Sequence, residues 1–496
     1  MKKKIKLFLC IAAILLVTGG YATAQEKPYD GYIYNFWGES VNAPAGYVPD
    51  GVITGADIGA GEISTGQDLY VFGDKLYILD GTGSGRLIVL NSDMTLDRVL
   101  DAYTYNNEPY VMSGPQGVFV TEEYIYVADT GNKRGLAMTH EGDIKFVYER
   151  PDSDVLGTAE FVPAKIIADK SGNVYLVCTG IYQGFVNYTT EGMFVGFYGS
   201  NRVQMTLQML STLVFKRLLG DDTAMTMERF LPVEFSNAFV TGDFIYTVTR
   251  SNPNSVDEVQ KLNPAGNNIL KYPEGGTFYP KNNFGDIEVT TINYKNTDSQ
   301  LIDIHVDEIG IISVLDQEKG RIFQYDQECN LACIFGGKGD YKGAFGMPTA
   351  IEKLGDKYIV LDKDKKRLVV FAQTEYMSFV REGLDFFRKG LYEESVEPWK
   401  KVLAYNDNFP LAYQSIGKSY LQRDMYKEAM DCFKKGQDRN GYSTAFRAYR
   451  TEVMRKYFIF LLLGAVTLVF VFFKVLRLIQ RKLGITRRKR TRTISQ

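Results

Sequence analysis

Gly114–Tyr148 reads GPQGVFVTEEYIYVADTGNKRGLAMTHEGDIKFVY, and its reading decides the fold. Four short runs rich in β-branched and aromatic residues follow one another: Gly117–Val120, Tyr124–Ala128, Gly135–Thr139 and Ile144–Tyr148. Between them stand Thr121-Glu122-Glu123, Asp129-Thr130-Gly131-Asn132 and His140-Glu141-Gly142-Asp143, which is turn chemistry. Strands of this length joined by such turns describe an antiparallel four-strand meander. A single sheet of that kind cannot bury both faces and needs neighbours like itself.

The neighbours are present in the chain. The pattern Val-Asp-x-x-Gly-x-apolar-x-Val-x-Asp occurs at Val306, Asp307, Gly310, Ile312, Val314 and Asp316. A second copy runs Ala168, Asp169, Gly172, Val174, Leu176 and Cys178, with Cys178 in place of the last Asp. Copies one residue shorter end at Asp80, Asp129, Thr249 and Asp362. Six four-strand repeats predict a mainly β fold, a six-bladed β-propeller. The wording of the repeat, VADTGNKR at Val127–Arg134 above all, resembles the NHL family, over roughly residues 60 to 375. The resemblance implies that Asp129, Asn132 and Arg134 make turns and pack blades together. The last copy, ending in LVVFAQTEY at Leu368–Tyr376, lacks room for its own fourth strand, so residues 30–37 are expected to close the ring.

The propeller region, 25–376, is interrupted twice. Val203, Leu207, Leu210, Val214 and Leu218 recur at helical spacing and predict a helical insertion over about 200–231. Packing on the propeller rim accounts for such a stripe; Met205 and Met209 also suit an adaptable docking surface. Residues 270–297 are rich in Gly, Pro and Asn and read as a long loop.

From Ser378 the apolar period lengthens to that of a helix. Phe379, Gly383, Phe386, Tyr392 and Trp399 are matched 34 residues on by Tyr413, Gly417, Tyr420, Tyr426 and Phe433, with Ser395 and Ala429 at the small position. This is similar to the tetratricopeptide repeat and implies a small all-α domain over 377–441. A further helix, 442–456, then leads into YFIFLLLGAVTLVFVFF at Tyr457–Phe473, and the apolar stretch 457–479 is long enough to cross a bilayer.

Both ends of the chain carry targeting signals. Lys2, Lys3, Lys4 and Lys6, an apolar run from Leu7 to Val17 and the Ala22-x-Ala24 site read as a signal peptide, 1–24. Nine basic residues and no acid follow Phe473, which places the tail 480–496 in the cytoplasm and the rest of the mature chain outside. Those ends carry thirteen positive charges in a chain of net charge −2, so the region between them stands near −15. A basic tail against a membrane span fits lipid headgroups, and no nucleic-acid partner is expected. Once the leader is removed, Cys178, Cys329, Cys333 and Cys432 remain, too few and too poorly spaced for a disulfide framework or a zinc site.

Chemistry is sparse. His140 sits in a polar turn and is expected at the surface; His305 lies on an inner strand, nearest the propeller axis. Aligning the six inner strands puts Asp68, Gly117, Lys165, Asn237, Asp303 and Ala350 at one level. Tyr70, Phe119, Ile167, Phe239, His305 and Glu352 follow two residues later. The first level is read as a polar ligand pocket at the channel mouth, with Asp68, Lys165, Asn237, Asp303 and His305 as candidate ligand-binding residues; the second is read mostly as packing. Sugar-lactonase-like propellers hold a divalent metal in this region, and Asp68, Asn237 and Asp303 carry oxygens suited to a hard cation. Neither a catalytic set nor a resident cofactor is expected, with a divalent cation as the competing expectation. No phosphate loop or nucleophile elbow is present.

Two function classes follow. One is a membrane-anchored, extracytoplasmic binding or scaffold protein that holds a protein partner or a small polar ligand through the propeller face or the helical-repeat groove. The other is an extracellular propeller hydrolase of sugar-lactonase type.

Overall fold

In the computed structural model, which describes residues 29, 31–35, 39–199, 234–250, 258–270, 284–286, 290–292, 295–297 and 299–483, each sequence repeat is one antiparallel sheet. Blade 1 comprises Gly66–Phe72, Lys75–Asp80, Arg86–Leu90 and Leu96–Leu100; blade 2 comprises Gly117–Val120, Ile125–Asp129, Arg134–Met138 and Asp143–Tyr148. Blade 3 runs Val162–Ala168, Asn173–Thr179, Phe185–Thr189 and Phe194–Tyr198; blade 4 shows Phe235–Thr241, Phe244–Thr249 and Val259–Leu262. Blade 5 is Leu301–Val306, Ile312–Asp316, Arg321–Tyr325 and Leu331–Gly336; blade 6 is Pro348–Leu354, Lys357–Asp362, Arg367–Gln373 and an N-terminal strand, Tyr47–Thr54. The first strands touch in ring order, the sixth against the first, so this is a closed six-bladed propeller. The leader 1–24, the helical insertion at about 200–231, most of the loop 270–297 and the tail beyond Leu483 lie outside the described residues.

Closure differs from the expectation. Residues 47–54, not 30–37, supply the missing strand, pairing antiparallel from Arg367 with Thr54 to Gln373 with Tyr47. Pro49 and Gly51 weaken the strand signal of this segment in the sequence. An outermost strand tolerates both, and a bulge between Val370 and Phe371 absorbs the misfit. Tyr32–Tyr34 instead pairs with Ser40–Asn42 as a small hairpin; the Tyr32 hydroxyl donates to Asp286 at 2.6 Å, and Arg321 donates to that hydroxyl at 2.5 Å. Blade 2 carries an addition, the hairpin Tyr103–Tyr105 with Glu108–Tyr110, which joins its outer strand in parallel.

In blades 1, 2, 5 and 6 the recurrent Asp at the end of the second strand holds the chain that enters the same blade. Asp80 accepts from Thr65 N at 2.9 Å, Asp129 from Ser113 N at 2.7 Å, Asp316 from Gln300 N at 3.0 Å and Asp362 from Met347 N at 3.0 Å. Asn132 donates to Asp129 at 2.8 Å, and Arg134 lies 3.8 Å from the same carboxylate.

Among the described residues five α-helices follow: α1 (Glu375–Arg388), α2 (Tyr392–Tyr405), α3 (Pro410–Gln422), α4 (Tyr426–Lys435) and α5 (Arg439–Lys482). Thr374 caps α1 by accepting from Met377 N, while its own N–H donates to Gly46 O at 3.0 Å. The first helix therefore starts directly on the closing strand. A Cβ on Gly383 would lie 2.7 Å from Trp399, and one on Gly417 would lie 2.9 Å from Phe433, so both helix pairs approach as closely as glycine permits. These contacts repeat at the 34-residue spacing. Tyr47, Phe335, Tyr358 and Phe371 of the propeller share one apolar core with Met377, Val380, Trp399 and Val402 of the helices. Arg381 of α1 reaches Glu308 at 2.8 Å and also bonds Asp307, both in the first turn of blade 5. In α5, Asp438 accepts from Gly441 N at 2.8 Å, and the helix then runs 44 residues without a break. At about 1.5 Å per residue it spans roughly 66 Å. Its apolar residues from Tyr457 to Phe473 are exposed on every side, and the helix is long and apolar enough to cross a membrane.

Candidate functional site: the propeller channel

The first strands reach the channel through a repeated distortion. A register shift falls between Gly66 and Asp68, Pro163 and Lys165, Phe235 and Asn237, Leu301 and Asp303, and Pro348 and Ala350. Such bulges re-aim the residue that follows them, which is why this level can be aligned across blades. Asp68, Lys165, Asn237 and Asp303 are all buried there.

The acids of this level are engaged with backbone. Asp68 accepts from Leu69 N at 3.0 Å with one oxygen, and from Val118 N of blade 2 at 2.8 Å with the other. Asp303 repeats this with Ile304 N at 2.9 Å and with Ile351 N of blade 6 at 2.7 Å. Asn237 turns its oxygen to Ala238 N at 2.7 Å. The two acids therefore bind blade 1 to blade 2 and blade 5 to blade 6. Lys165 of blade 3 passes over Gly117, where a Cβ would stand 2.6 Å from Ala164 O, and donates to Asp68 of blade 1 at 2.6 Å. Burial would lower the Lys165 pKa, but the charges of Asp68 and Asp303 outweigh it and raise it. Burial pushes the Asp303 carboxyl well above the usual range, against the pull of Lys165 and with the help of the Asp68 charge.

His305 belongs to the second layer, where its Nδ1 lies 2.8 Å from Glu352 Oε2. Its ring is 4.7 Å from Phe239 and 6.1 Å from Tyr358, centroid to centroid. Phe119 packs on Tyr70 at 4.7 Å. Burial, then the Glu352 charge, raise the Tyr70 hydroxyl pKa. Lining up the inner strands reads Glu352 and Tyr70 as packing; the missed signal is an acid placed beside a histidine on the next inner strand. The other histidine, His140, is half-buried, with Nε2 3.1 Å from Thr121 O. Cys329 and Cys333 are unbridged and buried, and burial pushes the Cys333 thiol up to about 12.

A hard divalent cation fits the first layer poorly. The oxygens of Asp68, Asn237 and Asp303 already receive backbone N–H groups or Lys165, and among the described residues no group of three or more His, Cys, Asp or Glu side chains could hold a metal.

No protein-family model matches the chain, and no curated protein is similar to it in sequence. Among solved structures it is similar to a Bacteroides thetaiotaomicron protein of unknown function, at 10% identity and TM-score 0.39, over 69% of this chain and 76% of that one. Virginiamycin B lyase of Staphylococcus aureus is 9% identical, TM-score 0.36, over 63% and 97%. BamB of Moraxella catarrhalis is 12% identical, TM-score 0.33, over 63% and 85%. Likeness at this level carries nothing about activity, ligand or partner.

Proposed function

We propose that this chain is a membrane-anchored extracytoplasmic binding protein, a scaffold that presents an NHL-like propeller and a tetratricopeptide-like module at a fixed height above the bilayer. One observation carries the reading: blades 5 and 6 share a core with α1 and α2, and the last helix continues unbroken from the module into the apolar stretch. Domains joined by flexible linkers would move independently. Here the propeller, the repeats and the span form one connected body, which suits holding a partner in position better than releasing a product. The hydrolase alternative relies on oxygen ligands open to the channel, and those of Asp68, Asn237 and Asp303 are engaged with backbone.

Membrane partition and sidedness test the proposal together. The full chain should need detergent for extraction, and a chain ending at Lys456 should be soluble. A cysteine placed at Asp340, on the propeller, should react with an impermeant thiol reagent in whole cells; one placed at Arg490 should react only after lysis. The reverse labelling pattern overturns the topology, and a soluble full chain overturns the anchor.

A further inference from the structure

The second layer of the channel divides into two unlike arcs. Blades 2, 3 and 4 contribute Phe119, Ile167 and Phe239; blades 5, 6 and 1 contribute His305, Glu352 and Tyr70. One arc is apolar and the other carries three polar heads. Those heads are incompletely used. His305 and Glu352 are 7% and 4% exposed, yet beyond their mutual contact at 2.8 Å neither His305 Nε2 nor the second oxygen of Glu352 has a hydrogen-bond partner among the described residues. The Tyr70 hydroxyl has none either, although the Glu352 charge acts on it. None of these three atoms is sealed off, and the half-buried Tyr70 and Phe239 leave the layer open to solvent. Buried polar groups with open valences beside an apolar wall are the features of a ligand pocket.

Charge selects the ligand class. The channel layers hold three carboxylates, Asp68, Asp303 and Glu352, and one lysine, which is engaged with Asp68 at 2.6 Å. An anion would meet the Glu352 carboxylate, with the lysine engaged at Asp68 and His305 already paired with Glu352 at 2.8 Å. An ammonium group would find the open Glu352 oxygen and aromatic rings at Tyr70 and Phe239, whose faces attract cations.

We infer that the ring around Glu352 binds a small amphipathic organic cation, an amine whose ammonium group pairs with Glu352 and whose apolar part lies against Phe119, Ile167 and Phe239. This deepens the binding reading given above and rests on it.

Calorimetric titration of the detergent-solubilised full chain tests it with three matched probes: 2-phenylethylamine, 2-phenylethanol and phenylacetate. The amine should bind, with the alcohol at least tenfold weaker and phenylacetate undetected. Glu352→Gln should weaken the amine at least tenfold and remove the preference over the alcohol. Tyr70→Phe, which keeps the ring and loses the hydroxyl, should weaken it about threefold. Equal binding of amine and alcohol, preference for phenylacetate, amine binding unchanged in Glu352→Gln, or no binding of any probe each overturns the inference. Membrane partition and labelling are read separately, so failure here leaves the anchored-scaffold reading to stand or fall on its own test.

Discussion

Two layers of one channel, two residues apart on the same strands, treat charge in opposite ways. In the first, Asp68 and Asp303 give both oxygens to backbone N–H groups, one at home and one on the next blade, and Lys165 crosses from blade 3 to blade 1. In the second, Glu352 has one hydrogen-bond partner among the described residues, His305, at 2.8 Å. The acids of the first layer fasten blade to blade; the acid of the second keeps an oxygen open. A polar residue in a propeller channel is thus informative about function only once its hydrogen bonds have been counted.

The largest effect that would separate the layers comes from Lys165→Met. Removing one member of a buried pair leaves an uncompensated charge, which costs about 3–5 kcal/mol. Asp68 and Asp303 would then face each other's field without a cation. Denaturant unfolding should show that loss, and adding Asp68→Asn should recover part of it, because the remaining partner is then neutral. A loss under about 1 kcal/mol would mean that the layer is solvated and not a fastening.

Next in size is Gly117→Ala. The new Cβ would stand 2.6 Å from Ala164 O and 2.8 Å from the Lys165 Cα, both backbone, so a strand must move. Overpacking of this kind costs about 1–3 kcal/mol. Gly51→Ala, on the closing strand, meets nothing within 4 Å and should fall within about 0.5 kcal/mol of the parent.

The sequence reaches the blades more surely than it reaches these layers. Six copies of one strand–turn wording are a strong periodic signal, and each became a sheet. The closing strand was hidden because Pro49 and Gly51 weaken strand propensity where an edge position removes the penalty. The hairpin added to blade 2 had a legible turn, Asn106-Asn107, both at positive φ, but nothing local tells a short pair of strands which sheet to join. Alignment put Asp68, Lys165 and Asp303 at one level; it could not show that Lys165 spans two blades, since that depends on the space above Gly117. Glu352 looked like packing because one acid among aromatics carries no spacing rule.

Titration gives a smaller, signed contrast. The Asp303 pKa is raised chiefly by burial, so in the folded protein this carboxyl holds its proton to higher pH than in the unfolded chain. Its contribution is therefore fully present below the ordinary carboxylate pKa, near about 3.9, and is lost as pH rises through the raised folded value. The stability difference between the parent and Asp303→Asn should accordingly move against the parent as pH rises from acid to neutral. A difference that is flat, or that moves the other way, would mean that Lys165 and the two N–H donors dominate burial.

Within the channel layers the smallest effect is expected at Glu352, and it decides the comparison. Glu352 is 4% exposed, and burial of a carboxylate with one hydrogen bond is unfavourable unless the rest of its field is met. Gln has the same shape, its amide oxygen can still accept from the His305 Nδ1–H, and its amide carries no charge to desolvate. Residues kept for binding are commonly suboptimal for folding, so replacing them is neutral or stabilising. Glu352→Gln should shift unfolding free energy by between zero and about +1 kcal/mol, while Lys165→Met, one layer away and equally buried, lowers it by about 3–5 kcal/mol. If Glu352→Gln is destabilising by about 2 kcal/mol or more, on the scale of a buried hydrogen bond left unmade, Glu352 and His305 are a fastening like the layer beneath them. The second layer would then have no open valence, and the channel would be architecture through its whole depth.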